Sequence, residues 1–169
     1  MIYNQDMGKY EHIEHPFEPL YDSDSKILIL GSFPSVKSRE TLFFYGHPRN
    51  RFWQVTAKVF NEPVPETVDE KKEFLHRNHI ALWDTIASCD IVGSSDSSIR
   101  NVVPTDLARI IDNSKVMRVF CNGGTSHKYY EKYHEEVLGI KAVKMPSTSP
   151  ANAAWSLDRL IDAWRIIDE

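Results

Sequence analysis

The chain has 169 residues, 41% of them apolar and including four Trp, seven Tyr and eight Phe, which suffices for one sizeable core and leaves too little for two. A net charge of −4 and a pI near 6.0 argue against a protein that merely coats nucleic acid, because such binding rests on Lys and Arg neutralising phosphates. Cys89 and Cys121, the only two cysteines, have no metal-ligand spacing, which argues against a disulfide framework, a four-cysteine zinc site and a cysteine-held iron–sulfur cluster.

In chain order, 1–25 is polar and aromatic, with Pro16, Pro19 and the acids Asp22 and Asp24, and reads as an N-terminal arm on a single domain spanning 1–169. Met1 precedes a polar, acidic stretch, and no apolar run is long enough to span a bilayer, so a soluble, cytoplasmic protein without a membrane contact is expected. Lys26–Gly31 (KILILG) is a continuous apolar run ending in Gly-Ser, the pattern of a strand buried on both faces of a parallel sheet. Asn50–Phe60 carries apolar residues at helical spacing, and Thr67 with Glu70 forms a capping box that opens a helix toward His76. Ile80–Trp83 is a second strand that stops at Asp84. The Ser- and Asp-rich segment Asp90–Ser98 is expected to be an exposed, mobile loop, with Thr105 capping a helix through Ile111. Val116–Cys121 is a third strand ending in Asn122-Gly123-Gly124, followed by a helix from about Ser126 to Leu138. Lys141–Met145 is a fourth, and a last helix over about Ala153–Ile167 turns Leu157, Leu160, Ile161, Trp164 and Ile167 inward.

Strands alternating with helices at this spacing predict a three-layer α/β/α sandwich with a mostly parallel four-stranded sheet. Ligands of such sheets bind beyond the carboxyl ends of the strands. Those ends supply Ser32–Ser35, Asp84, Asn122–Gly124 and Ser147–Asn152, all polar or glycine-rich. Between Val36 and Trp53, Lys37, Arg39, Arg49 and Arg51 face one acid, Glu40, a local net of +3 that suits brief contact with phosphates. Ordinary solvated side chains on a helix and a loop would look the same. Asn50 precedes an amphipathic helix and is a natural N-cap, worth about 1 kcal/mol. His12 and His15 (HIEH) match no metal-binding spacing and read as structural or solvated.

Two of these segments, Gly31–Trp53 (GSFPSVKSRETLFFYGHPRNRFW) and Met145–Ala153 (MPSTSPANA), together resemble the motifs of the uracil-DNA glycosylase superfamily, in particular the branch that removes hypoxanthine, the deaminated form of adenine, from DNA. The resemblance implies a monofunctional glycosylase that hydrolyses an N-glycosidic bond, leaves an abasic site, uses no metal or cofactor, and acts as a monomer on lesion-containing DNA, double- or single-stranded. It makes Asn50, within HPRNRFW, the catalytic carboxamide, since an amide can orient water with its oxygen and donate to a base with its nitrogen. It also places Tyr45 where relatives stack an aromatic ring on the extruded base, and Asp84 where they read its edge. A carboxylate accepts from the N1–H of hypoxanthine and repels the bare N1 of adenine. The turn Ser32–Ser35 (SFPS) lacks the Asn or Asp that many members carry there. That departure speaks against uracil activity and leaves Ser32 and Phe33 to hold the base through the loop backbone. Ser35, Lys37, Arg49 and Arg51 are then phosphate contacts, as are Ser147 and Ser149, while Pro150, Ala151 and Asn152 are candidates for the wedge that fills the gap in the duplex. No lysine is placed to form a Schiff base, so strand cleavage is not expected. A uracil or mixed-spectrum glycosylase, a phosphate- or nucleotide-binding α/β module, and a silent lesion sensor are the alternatives.

Overall fold

The alternating side chains of the first apolar run are all apolar, and the fold buries both of its sides. A computed structural model describes residues 9–169. Its strands are β1 (Glu11–Glu14), β2 (Ile27–Gly31), β3 (Ile80–Asp84), β4 (Ile86–Ile91), β5 (Arg100–Pro104), β6 (Arg118–Asn122) and β7 (Ala142–Met145). Its helices are α1 (Val36–Thr41), α2 (Phe52–Val59), α3 (Val68–Arg77), α4 (Ala108–Ile111), α5 (Gly124–Tyr133), α6 (Glu135–Leu138) and α7 (Leu157–Trp164).

Strands β3, β2, β6 and β7, in that order, form a parallel sheet. Because side chains alternate across a strand, Ile27 and Ile29 enter one core and Leu28 and Leu30 the other. The first core joins the sheet to α2, α3 and α7 through Phe52, Val55, Phe74, Leu75, Leu160 and Trp164; the second joins it to α4 and α5 through Ile110 and Tyr130. This is the three-layer sandwich that the alternation of elements predicts. The capping box also forms, with the Glu70 N–H donating to Thr67 Oγ1 at 3.1 Å.

A second sheet, antiparallel and ordered β1-β4-β5, departs from the sequence reading. Asp90 and Ile91 belong to β4, so the exposed loop begins only after them. These strands lack a clean period of two: β1 is the polar EHIE and mostly exposed, β5 contains Pro104 at its end, and the β4–β5 register shifts between Ile86, Ser88 and Asp90. The chain passes from β3 into β4 through Thr85 alone, so Asp84 stands where one sheet hands over to the other. Thr105 does not cap a helix. Its hydroxyl donates to the Asp84 carbonyl at 2.7 Å, and α4 starts later without a side-chain cap.

Within 9–25, β1 pairs with β4 and Leu20 bridges to Leu82. Leu20 exchanges both backbone hydrogen bonds with Leu82, at 3.0 and 2.9 Å, and so covers the outer edge of β3. The rest of the arm, 1–8, falls outside the described residues. Helix α7 starts at Leu157 under the cap Ser156, whose hydroxyl accepts from Arg159 N–H at 3.2 Å; Leu157 itself is exposed rather than inward. Among the described residues no helix is long and apolar enough to cross a membrane.

Trp164 is fully buried against Phe52, and its Nε1 donates to the Pro146 carbonyl at 3.0 Å, tying the last helix to the loop after β7. Trp164→Phe therefore leaves that carbonyl unpaired and should cost about 1–3 kcal/mol, against about 3–5 kcal/mol for Trp164→Ala, read as shifts in the urea unfolding midpoint at constant slope.

Candidate active site

The carboxyl ends of β2, β3, β6 and β7 open into one cavity of about 580 Å³, within the size range of small-ligand sites. Gly31–Ser35, Tyr45, Asn50, Asp84, Asn122 and Ser147–Ala151 all line it, so residues up to 120 positions apart in sequence meet as the sheet topology requires. A further wall, Ser94–Ser97, comes from the turn between β4 and β5.

The two loops are locked together by Thr148, which is fully buried. Its hydroxyl donates to Asn50 Oδ1 at 2.8 Å and accepts from Asn122 Nδ2 at 3.0 Å; its N–H donates to Asn122 Oδ1 at 3.0 Å, and its carbonyl accepts from Arg51 N–H at 3.1 Å. Gly123 follows with φ +96°, where a Cβ would press against Ser147 Cβ at 3.1 Å, so glycine alone lets the β6 and β7 ends come this close. Neither Thr148 nor Asn122 stood out in the sequence. A threonine inside STS reads as a turn, and only the strand-end position of Asn122 pointed to it.

Asn50 Oδ1 also accepts from Phe52 N–H at 3.0 Å. Backbone N–H can only donate, which fixes the amide orientation. With two donors on the oxygen, the water-orienting half of the role expected for Asn50 is taken. Its Nδ2 has no protein partner among the described residues, and Asn50 lines the cavity. Asn50 thus holds the first turn of α2 and presents two N–H donors.

Asp84 is 5% exposed. Its Oδ2 meets His15 Nε2 at 2.7 Å, and the Nδ1 of His15 accepts from Phe17 N–H at 3.5 Å, which leaves the proton on Nε2 for the carboxylate. Rings of Phe17, Phe33 and Trp83 box in the imidazole. Asp84 Oδ1 packs over Gly31, where any Cβ would collide with it. His15 is the site residue that spacing rules could not find: its partner is 69 positions away and the link runs through the arm.

Tyr45 adopts φ +52°, rare for a bulky residue, and stacks on Phe52 with centroids 4.1 Å apart and planes 16° apart. Burial pushes its phenol pKa up, the Asp84 charge adds to the shift, and a hydrogen bond with Asn122 opposes it; the hydroxyl stays protonated at neutral pH. Phe33 is buried against Ile86, Cys89, Ile91 and Tyr129, while Ser35 caps α1, accepting from Ser38 N–H at 3.2 Å.

The basic cluster is largely spent on structure. Arg51 donates to the carbonyls of Trp155, Ser149 and Asn152, clamping the second loop instead of facing solvent. Arg39 donates to Pro34 O at 2.8 Å and Gly93 O at 3.3 Å, and Lys37 pairs with Glu40 at 3.3 Å on the surface. Arg49 is exposed. Ser147 and Ser149 hydroxyls accept from Ser149 and Ala151 N–H, each at 3.1 Å, and Asn152 Nδ2 donates to Ser147 O at 3.0 Å, so the turn is self-braced with Pro150 and Ala151 exposed at its tip. Among the described residues no Lys or Arg lines the cavity, and Asp84 and Asp96 are its acids.

A solution NMR structure from Methanosarcina acetivorans, described as a candidate uracil DNA glycosylase, superposes with a TM-score of 0.77 at 27% identity over 94% of this chain and all of that one. A protein of the same organism named hypoxanthine DNA glycosylase is 32% identical over 148 residues, 87% of this chain and 93% of the relative. A Methanosarcina barkeri protein of the same name is 28% identical over 137 residues, 80% of this chain and 86% of the relative. A family profile for the uracil DNA glycosylase superfamily matches residues 18–168, from the arm to the last turn, and with both motif loops in place at the strand ends the chain belongs to that superfamily.

Proposed function

We propose that this chain is a monofunctional DNA glycosylase, a single-domain cytoplasmic monomer that hydrolyses the N-glycosidic bond of hypoxanthine in DNA. The observation that carries the reading is the convergence of Tyr45, Asn50 and Asp84 on one cavity built from the two loops. Both named relatives are hypoxanthine DNA glycosylases and cover most of the chain.

The base leaves the stack and enters the cavity, at a cost of a few kcal/mol, offset by stacking on Tyr45 worth roughly 1–3 kcal/mol. Phe52 supports that ring from behind. Asp84, held by His15, accepts the N1–H of hypoxanthine; adenine meets the same carboxylate with an N1 lone pair and is repelled. Asn50 donates from Nδ2 to the departing purine, whose ring gains the electron pair of the broken bond. Pro150 and Ala151 enter the gap left in the duplex, and Arg49 with the serine-braced turn contacts phosphates. Among the described residues no lysine lines the cavity, so base release leaves an intact abasic strand.

The direct test is incubation with duplexes holding a single inosine, uracil or xanthine, followed by alkali. Cleavage at inosine is expected; cleavage at uracil alone, or none at all, sinks the reading. Asn50→Ala should lower single-turnover excision by at least about 10²-fold while duplex binding persists, since removing one preorganised donor has that order of effect. If only the melting temperature falls, Asn50 is a cap and nothing more.

Tyr45→Phe should keep excision within about tenfold, and Tyr45→Ala should lose far more, because the ring face carries the contact. Equal losses would move the role to the hydroxyl beside Asn122.

Asp84→Asn keeps the shape but lets the side chain donate as well as accept. The ratio of inosine to adenosine excision in matched duplexes should fall, and His15→Ala, which frees the carboxylate to turn, should lower it in the same direction. An unchanged ratio in both variants would remove the pair from base recognition.

A further inference from the structure

The loop after β2 contains no acid, and the carbonyl oxygen of Asn50 already has two donors, so neither can take a proton from water. Two carboxylates reach the cavity from elsewhere. Asp84 is deep and committed to His15. Asp96 sits in the exposed turn between β4 and β5, at the mouth.

That turn is fixed to the first loop by several contacts. The Val36 N–H donates to Ser94 Oγ at 2.9 Å, Arg39 joins the carbonyls of Pro34 and Gly93, and Ser32 Oγ donates to Asp96 Oδ1 at 3.3 Å. The antiparallel sheet thereby delivers a carboxylate to a loop that has none of its own. Depth separates the two acids. A flipped base fills the interior while its sugar stays near the mouth, so Asp84 meets the base and Asp96 the sugar. With no Lys or Arg among the described residues lining the cavity, both charges act on the positive character that develops on the sugar as the base departs.

We propose that Asp96 is a catalytic residue, the general base for the water that attacks C1′ of the flipped nucleotide; this rests on the glycosylase reading above. As the water oxygen bonds to C1′, the C1′–N9 bond breaks with its electron pair on the purine. The water proton passes to Asp96, and the purine takes a proton from solvent to leave neutral. Asp96 then returns its proton to bulk water. Although the turn is exposed, the cleft desolvates this carboxyl and raises its pKa; the Ser32 and Thr125 hydroxyls oppose the shift and the Asp84 charge adds to it. Such a base is active when ionised, so excision should rise with pH through its pKa.

The test is single-turnover excision of an inosine duplex by the full chain and its Asp96→Asn and Asp96→Ala variants across pH, with duplex affinity and melting temperature measured alongside. Asp96→Asn should lose about 10²–10³-fold in rate, keep duplex affinity within about twofold, and lose the acid limb of the pH profile. Added formate should restore part of the rate to Asp96→Ala and none to the wild type. An active wild type with an Asp96→Asn variant within about threefold of it, acid limb retained, overturns this inference alone. A slow variant with a lowered melting temperature and no formate rescue also overturns it, assigning Asp96 to bracing the turn. A wild type that releases no base from inosine, uracil or xanthine duplexes overturns the glycosylase reading and this inference with it.

Discussion

The buried Thr148 hydroxyl and its flanking backbone are what the site depends on. One side chain donates to Asn50, accepts from Asn122, and sits in a peptide unit whose N–H and carbonyl bond Asn122 and the start of α2. Each such bond contributes about 0.5–1.5 kcal/mol net, but leaving any partner unpaired in this buried place costs more, so the set persists or fails together. The Phe52 N–H fixes the orientation of the Asn50 amide, and the Thr148 hydroxyl reaches the same oxygen from the second loop.

Charge in this molecule is divided between positioning and chemistry. Arg39 and Arg51 lie in the most basic stretch of the sequence, yet their guanidinium groups bind loop carbonyls, where a planar fork of donors serves better than the point charge of a lysine. The cavity they surround is lined by serines more than by any other residue, with the acids Asp84 and Asp96 and the amides of Asn50 and Asn122 beside them. Such a lining offers carboxylate acceptors and amide donors in one cavity. The chain's overall charge of −4 gives duplex DNA little reason to linger away from that mouth.

The parallel sheet was legible because burial on both faces demands continuous apolar runs, and KILIL and IALW offer little else. Its strand ends, and with them Asp84, followed from topology, whereas Tyr45 and Asn50 were placed by the family resemblance. The antiparallel sheet was not legible: EHIE and RNVVP are exposed edge strands whose stability comes from pairing with β4, a relation no local pattern encodes. Its loss from the sequence reading hid Asp96 among serines that looked merely solvated. His15 and Thr148 were hidden for another reason. Their meaning lies in partners 69 and 98 positions away. The carbonyl contacts of Arg51 were not legible because a guanidinium that binds carbonyls and one that binds phosphates have the same sequence signature.

The arm that carries His15 is held to the body by the pairing of β1 with β4, the Leu20–Leu82 exchange and surface ion pairs such as Glu18–Arg109 and Asp24–Lys115. Exposed pairs of that kind add little, so the arm opens at a lower free energy than the doubly covered sheet. Opening takes His15 from Asp84 and Leu20 from the first core, while the four-stranded sheet keeps its own strand pairing. Loss of the His15–Asp84 pair and global unfolding are therefore separate transitions. Warming should silence the site at a temperature where the sheet's amide protons are still protected from exchange.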